Sequence, residues 1–189
     1  MITGHFGLAA VVKSVDPPVP LWALMLATVW LDILFVPLLL AGVEKLDPVP
    51  GTNGGYGNAI IHADYTHSLV GALVIAALTG LLCARWWGRR TGTVIGAVVF
   101  SHWLLDLVVH RADLPLLPGN LGGLPRLGFG LWRYPWAAAT VEAALLLAGT
   151  VLYWRAARRS GGSPRRVALV TVLLAVAGAT TLALDLAGT

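Results

Sequence analysis

Apolar residues fall along this chain in five long runs, at 20–43, 66–87, 93–110, 136–153 and 167–186, separated by short polar or Gly/Pro-rich breaks. A hydrocarbon core about 30 Å thick takes about 20 apolar residues of helix to cross, so each run counts as one candidate span. The first begins after the break at Asp16-Pro17-Pro18. Two stretches interrupt the pattern. Residues 44–65 carry Pro48, Pro50 and the glycines of 51–57, a composition that favours turns over any regular element. Residues 111–135, rich in Pro, Gly and Leu, are expected at the membrane surface or folded back into the bundle. The pattern predicts an all-α, polytopic transmembrane helical bundle of five spans, with residues 1–189 as a single integral membrane domain.

Composition sharpens this reading. Of 189 residues, 57% are hydrophobic and 12% charged, against roughly 25% charged in a soluble domain. Mean hydropathy is +0.78. Lipid is the expected solvent. The net charge of +4 does not point to nucleic acid, because the loops at 85–90 and 155–166 hold eight of the thirteen Lys and Arg residues. They read as topology signals that place both loops on the cytoplasmic side. Five spans then put the N-terminus inside, the C-terminus outside and both Gly/Pro-rich stretches outside, in the inner (cytoplasmic) membrane. The apolar stretch 5–12 is short and lacks a basic leader, so no cleavable signal is expected there. Trp86, Trp87, Trp132, Tyr134 and Trp136 fall near span ends, as interfacial aromatic belts do. Cys83, the only cysteine, rules out an intrachain disulfide and a thiolate zinc site.

The chemistry lies in ionisable residues that the pattern places inside the membrane. Each costs at least about 2.5–3.5 kcal/mol on insertion scales, so those that persist pair with one another, face a cavity or hold an ion. His102, Asp106 and His110 are spaced four apart and stack on one face of the third span. His62 and His67 flank the start of the second span, on the side where the third ends. Asp32 in the first span and Glu142 in the fourth offer carboxylates from two more helices, the way helical bundles build metal sites. His5 joins them if residues 4–12 form a short re-entrant helix buried in protein. Asp64 and Ser68 stay ambiguous between ligand, supporting and capping roles, and Asp185 reads as structural or interfacial. Nitrogen and carboxylate donors without thiolate suit a divalent metal, zinc first, with iron or manganese as alternatives.

These residues resemble the YdjM-like family of membrane-bound metal-dependent hydrolases. The likeness runs through His5, Asp32, His62, Thr66-His67-Ser68, Ser101-His102, Asp106, Gly128-Phe129-Gly130-Leu131-Trp132 and Glu142. The family often has Pro-Asp where this chain has Leu31-Asp32, and Arg where it has Ala63. More distantly, the motifs look similar to those of zinc-dependent phospholipase C. That likeness implies one metal group of Asp32, His67, His102 and Asp106, a second with His110 and Glu142, and His5 near Asp106.

Two classes of function follow. The first is a metal-dependent hydrolase acting on a phosphodiester or lipid ester at the outer face, with metal on His5, Asp32, His62, His67, His102 and Asp106. In it His110 or Glu142 completes a second metal position or moves protons. Its partners are membrane lipids and a lipid or amphipathic substrate. The second is a non-enzymatic proton or ion relay, or an accessory subunit that binds haem through two histidines. The apolar run Gly96–Phe100 on the cytoplasmic half of the third span argues against a continuous relay.

Overall fold

A computed structural model describes residues 1–15, 18–49 and 57–188. In chain order they form α1 (Ile2–Val15), α2 (Leu21–Thr28), α3 (Trp30–Leu40), a hairpin of β1 (Lys45–Pro48) and β2 (Ala59–His62), α4 (Leu69–Trp87), α5 (Arg89–Val109), α6 (Pro135–Arg159) and α7 (Pro164–Ala187). Two short 3-10 turns, Pro118–Gly123 and Leu131–Arg133, lie between α5 and α6. Helices α4 to α7 are long and apolar enough to cross a membrane, and α2 with α3 makes a fifth span bent by 46°. Leu81 on α4, Leu147 on α6 and Leu173 on α7 are exposed, an apolar surface that lipid, not water, accommodates.

Close helix contact comes from small residues, because in lipid there is no hydrophobic gain from helix association and van der Waals approach must supply it. Gly80 on α4 faces Gly92 and Gly96 on α5, and the Gly80 carbonyl oxygen leaves no room for a Cβ at Gly92. Gly88 joins these two helices alone, with φ of +84°, a conformation that glycine adopts without penalty. Gly7 of α1 and Gly149 of α6 meet as closely: the Gly7 carbonyl leaves no room for a Cβ on Gly149. Helix α2 fills the space between α1 and α5, where Leu24, Ala27, Ile95, Val98 and Trp103 form the apolar core.

Three features depart from the sequence expectation. The stretch 44–65 holds a β-hairpin in register Lys45↔His62 to Pro48↔Ala59, while residues 50–56, which include most of its glycines, lie outside the described residues. The first span breaks at Val29 (φ −114°, ψ 16°) with no Gly or Pro at the break. The N-terminal helix is longer than 4–12, runs parallel to α6, and starts at the hairpin end of the bundle, where Met1 lines a cavity with Asn58, Trp132 and Asp185. The start of α1 and the end of α7 thus lie opposite the arginine loops, whereas the sequence pattern places the N-terminus on the arginine side.

The aromatic residues mark two levels. Trp22, Trp86, Trp87 and Trp154 are exposed at the arginine end, and Phe129, Tyr134 and Trp136 at the other. Trp136 and Trp154 are separated along α6 by about 27 Å at 1.5 Å per residue, close to the thickness of a hydrocarbon core.

Gly92→Leu should cost about 1–3 kcal/mol, the usual range for overpacking, and lower the thermal unfolding midpoint in detergent. Leu81→Ala, on the lipid-facing side of α4, should leave it nearly unchanged.

Candidate metal centre

Helix α5 supplies the backbone of the site. His102 and Asp106 are one turn apart, and His110 caps the helix C-terminus one turn further. The chain that follows α5 folds back and satisfies its last carbonyls: Phe129 N–H donates to Leu107 O and Gly130 N–H to His110 O. Gly128 is pressed on the Arg111 carbonyl so tightly that no Cβ would fit. This is the structural use of the Gly128-Phe129-Gly130 stretch, and it brings Trp132 onto the His110 ring at 4.5 Å.

His67 arrives from the turn that leads into α4. Its N–H bonds Ala63 O, its carbonyl accepts Trp103 Nε1–H at 2.9 Å, and Ser68 caps the helix through Gly71 N–H. The same returning chain takes the first amides of α4, with Leu69 N–H on Pro115 O and Val70 N–H on Leu116 O. Asp32 stands in the first turn of α3, just beyond the break at Val29.

Here the four side chains converge. His67 Nε2, His102 Nε2 and Asp32 Oδ1 form a triangle with sides of 3.2, 3.4 and 3.4 Å. Ligands on a tetrahedral zinc with bonds of 2.0–2.1 Å lie about 3.3 Å apart. Asp106 Oδ2 completes a second triangle on the same pair of nitrogens, 3.0 Å from His102 and 3.7 Å from His67. His110 Nε2 is 3.6 Å from that oxygen, and His5 Nε2 is 3.2 Å from the other oxygen, Oδ1.

The hydrogen bonds outside the cluster decide what these nitrogens offer. His102 Nδ1 lies 2.7 Å from the Thr28 carbonyl, an acceptor only, so Nδ1 carries the hydrogen and Nε2 presents a lone pair. His67 Nδ1 is 2.9 Å from Thr66 Oγ1, whose hydroxyl donates to the Glu44 carboxylate, so His67 has the same tautomer. His110 Nδ1 donates to Asp113 Oδ1 at 2.9 Å, and Asp113 Oδ2 accepts Ile61 N–H. With these three rings neutral, their Nε2 lone pairs and the two carboxylates face one another, with His5 Nε2 as the one further partner, on Asp106 Oδ1. Such an acceptor-rich centre takes up positive charge, as protons on the imidazoles or as a metal ion. Buried His and Asp groups here can hold a metal ion: His5, His102 and Asp106 form one such group, and Asp32, His67 and His102 another. His102 belongs to both, and with Nδ1 committed to Thr28 its single lone pair serves one ion.

Compared with family models, curated proteins and solved structures, the chain finds no match. The chemistry of the cluster carries the functional reading.

Not every expected residue joins the cluster. His62 stands on β2 and bonds Asp47 Oδ2 at 3.0 Å on an exposed surface, because its strand faces it away from α5. Glu142 is fully buried, and its Oε2 accepts Gly4 N–H at 3.1 Å, holding the start of α1. His5 stacks on His102 with ring centroids 4.0 Å apart, and its carbonyl accepts the Thr28 hydroxyl. Asp64 forms a two-pronged pair with Arg126 at 2.7 and 3.2 Å, which ties the hairpin side to the 111–134 stretch.

Sequence reasoning missed Thr28, Glu44, Trp103 and Asp113. Only Asp113 left a signal, its i+3 spacing from His110.

Such supporting partners typically change metal affinity 10- to 100-fold. Glu44→Gln, which loosens the Thr66 hydroxyl behind His67, should weaken binding within about that range, measured by competition with a chromophoric chelator. Asp64→Asn, which breaks only the Arg126 pair, should keep wild-type affinity.

Proposed function

We propose that the chain is a membrane-embedded, metal-dependent hydrolase acting on a phosphodiester or lipid ester, in keeping with its resemblance to the YdjM-like hydrolases. The observation that carries this reading is the set of outward-committed Nδ1 hydrogens around Asp32 and Asp106. His67, His102, Asp32 and Asp106 hold the ion, an N2O2 donor set that suits zinc and also iron or manganese. The bound ion supplies a water with pKa lowered toward about 7 and a Lewis acid for the scissile oxygen.

This chain's own residues do the rest. His5 steadies Asp106 through Oδ1, leaving Oδ2 for the ion. His110 takes the proton at Nε2, with Asp113 on Nδ1 stabilising the imidazolium that results. Asp32 gives the centre its opening: its side chain is 42% exposed, against 5% or less for His5, His67, His102, Asp106 and His110. The substrate reaches the site past α3, from the membrane.

The arginine loops are placed on the cytoplasmic side by the positive-inside rule. The centre and both ends of the chain then face outward from the cytoplasmic membrane. Towards the arginine end, the buried side of α5 continues as Val99, Val98 and Ile95, all apolar. That favours a hydrolase over a relay, which needs polar groups through the full span.

Elemental analysis of detergent-purified protein tests the proposal. Stoichiometric metal is expected in the wild type and lost in His102→Ala and Asp106→Ala. Chelation should abolish, and metal restore, hydrolysis in a screen of phosphodiesters and lipid esters. A folded wild type that loads no divalent metal overturns the reading.

A further inference from the structure

At the arginine end, remote from the metal centre, a cavity of about 390 Å³ lies between α1, α6 and α7. Lys13 lines it from the last turn of α1, Tyr153 and Ser160 from the end of α6, and Arg166 from the first turn of α7. Ala156, Ala157 and Val167 complete an apolar wall, and among the described residues no acidic one borders it. The Lys13 ammonium is steadied at the rim by donating to the Val19 carbonyl at 2.8 Å.

The cavity is cationic, lined on one side by carbon, and set at the level of the exposed aromatic residues of the arginine end. Trp154 is exposed beside it with the Arg158 guanidinium 5.9 Å above its ring, the arrangement of an aromatic residue at the membrane interface. That is the level of phospholipid phosphates. The apolar wall suits the glycerol and first acyl carbons of a lipid, and a free inorganic anion has no use for it. Basic pockets between transmembrane helices on the cytoplasmic side are a known chemistry for anionic headgroups.

We infer that this cavity binds the headgroup of an anionic phospholipid of the inner leaflet, with Lys13 and Arg166 on the phosphate. A lipid seated there bridges three helices. Helix α7 packs mainly on α6 and, less closely, on α1, so the bound lipid holds it to the bundle from the headgroup side. The inference does not depend on the metal reading.

The test is thermal unfolding of the full chain in an uncharged detergent with added phosphatidylglycerol, phosphatidylcholine or inorganic phosphate at equal concentration. Phosphatidylglycerol should raise the midpoint by several degrees and the other two should not. The shift should disappear in Lys13→Gln/Arg166→Gln and shrink in Arg166→Gln, which leaves the Lys13–Val19 bond in place. It should persist in Arg89→Gln/Arg90→Gln, which removes equal charge at the same end but outside the cavity. Native mass spectrometry of the same variants should show retained phosphatidylglycerol falling in parallel. An equal shift with phosphatidylcholine, a shift reproduced by inorganic phosphate, or equal loss in the Arg89/Arg90 variant each overturns the inference. The last of these would mean diffuse attraction to charge.

Discussion

The centre depends on the carbonyl of Thr28 accepting the Nδ1 hydrogen of His102. A buried histidine can present either nitrogen, and an apolar interior leaves little to choose between them. A carbonyl at 2.7 Å removes the choice. It also explains the break in the first span, because at Val29 the helix turns by 46° where the Thr28 carbonyl is given to another helix. The bend sets the direction of α3, and Asp32 lies in its first turn. One hydrogen bond therefore links the tautomer of one ligand to the placement of another.

Burying this much ionisable chemistry requires that helices approach without obstruction. Asp106 is reached from α1 as well as from its own helix, because Gly7 and Gly149 let α1 lie directly on α6. A side chain at either position would lift α1 and take His5 from Asp106. Glu142 reinforces the same contact by accepting the Gly4 amide. That tie to the helix that carries His5 offsets part of the cost of burying an acid in a span.

The spans were legible because lipid imposes a length and a hydropathy on each helix, and little else in a sequence imitates that. The His102, Asp106 and His110 ladder was legible for a similar reason, since a spacing of four fixes a shared helical face before any tertiary structure forms. The break at Val29 was not, because its cause is an acceptor wanted by a residue far along the chain. Glu44 was read as part of a turn, yet it accepts Tyr65 N–H, Thr66 N–H and the Thr66 hydroxyl that supports His67. Its importance comes from a strand pairing that the Gly/Pro composition of 44–65 concealed. His62 was misplaced by the same hairpin: proximity in sequence to His67 does not survive the turn between β2 and α4.

Charge is divided along the bundle, and the division bears on what the centre can hold. Asp32 and Asp106 have histidines around them, while two of the three arginines at that end are engaged elsewhere, Arg111 on the Gly57 carbonyl and Arg126 on Asp64. Most of the other cations stand at the opposite end, beyond the apolar stretch of α5. Two carboxylates in a low-dielectric interior with three imidazole lone pairs turned toward them gain little from charges tens of ångströms away. Their compensation has to enter the cluster itself, as a proton shared between Nε2 atoms or as a divalent ion. A proton can satisfy only one pair of acceptors at a time, whereas the 3.0–3.7 Å spacings around His67 and His102 match several acceptors drawn to one centre. The geometry that makes the site costly without positive charge is therefore also a geometry that can hold a metal ion.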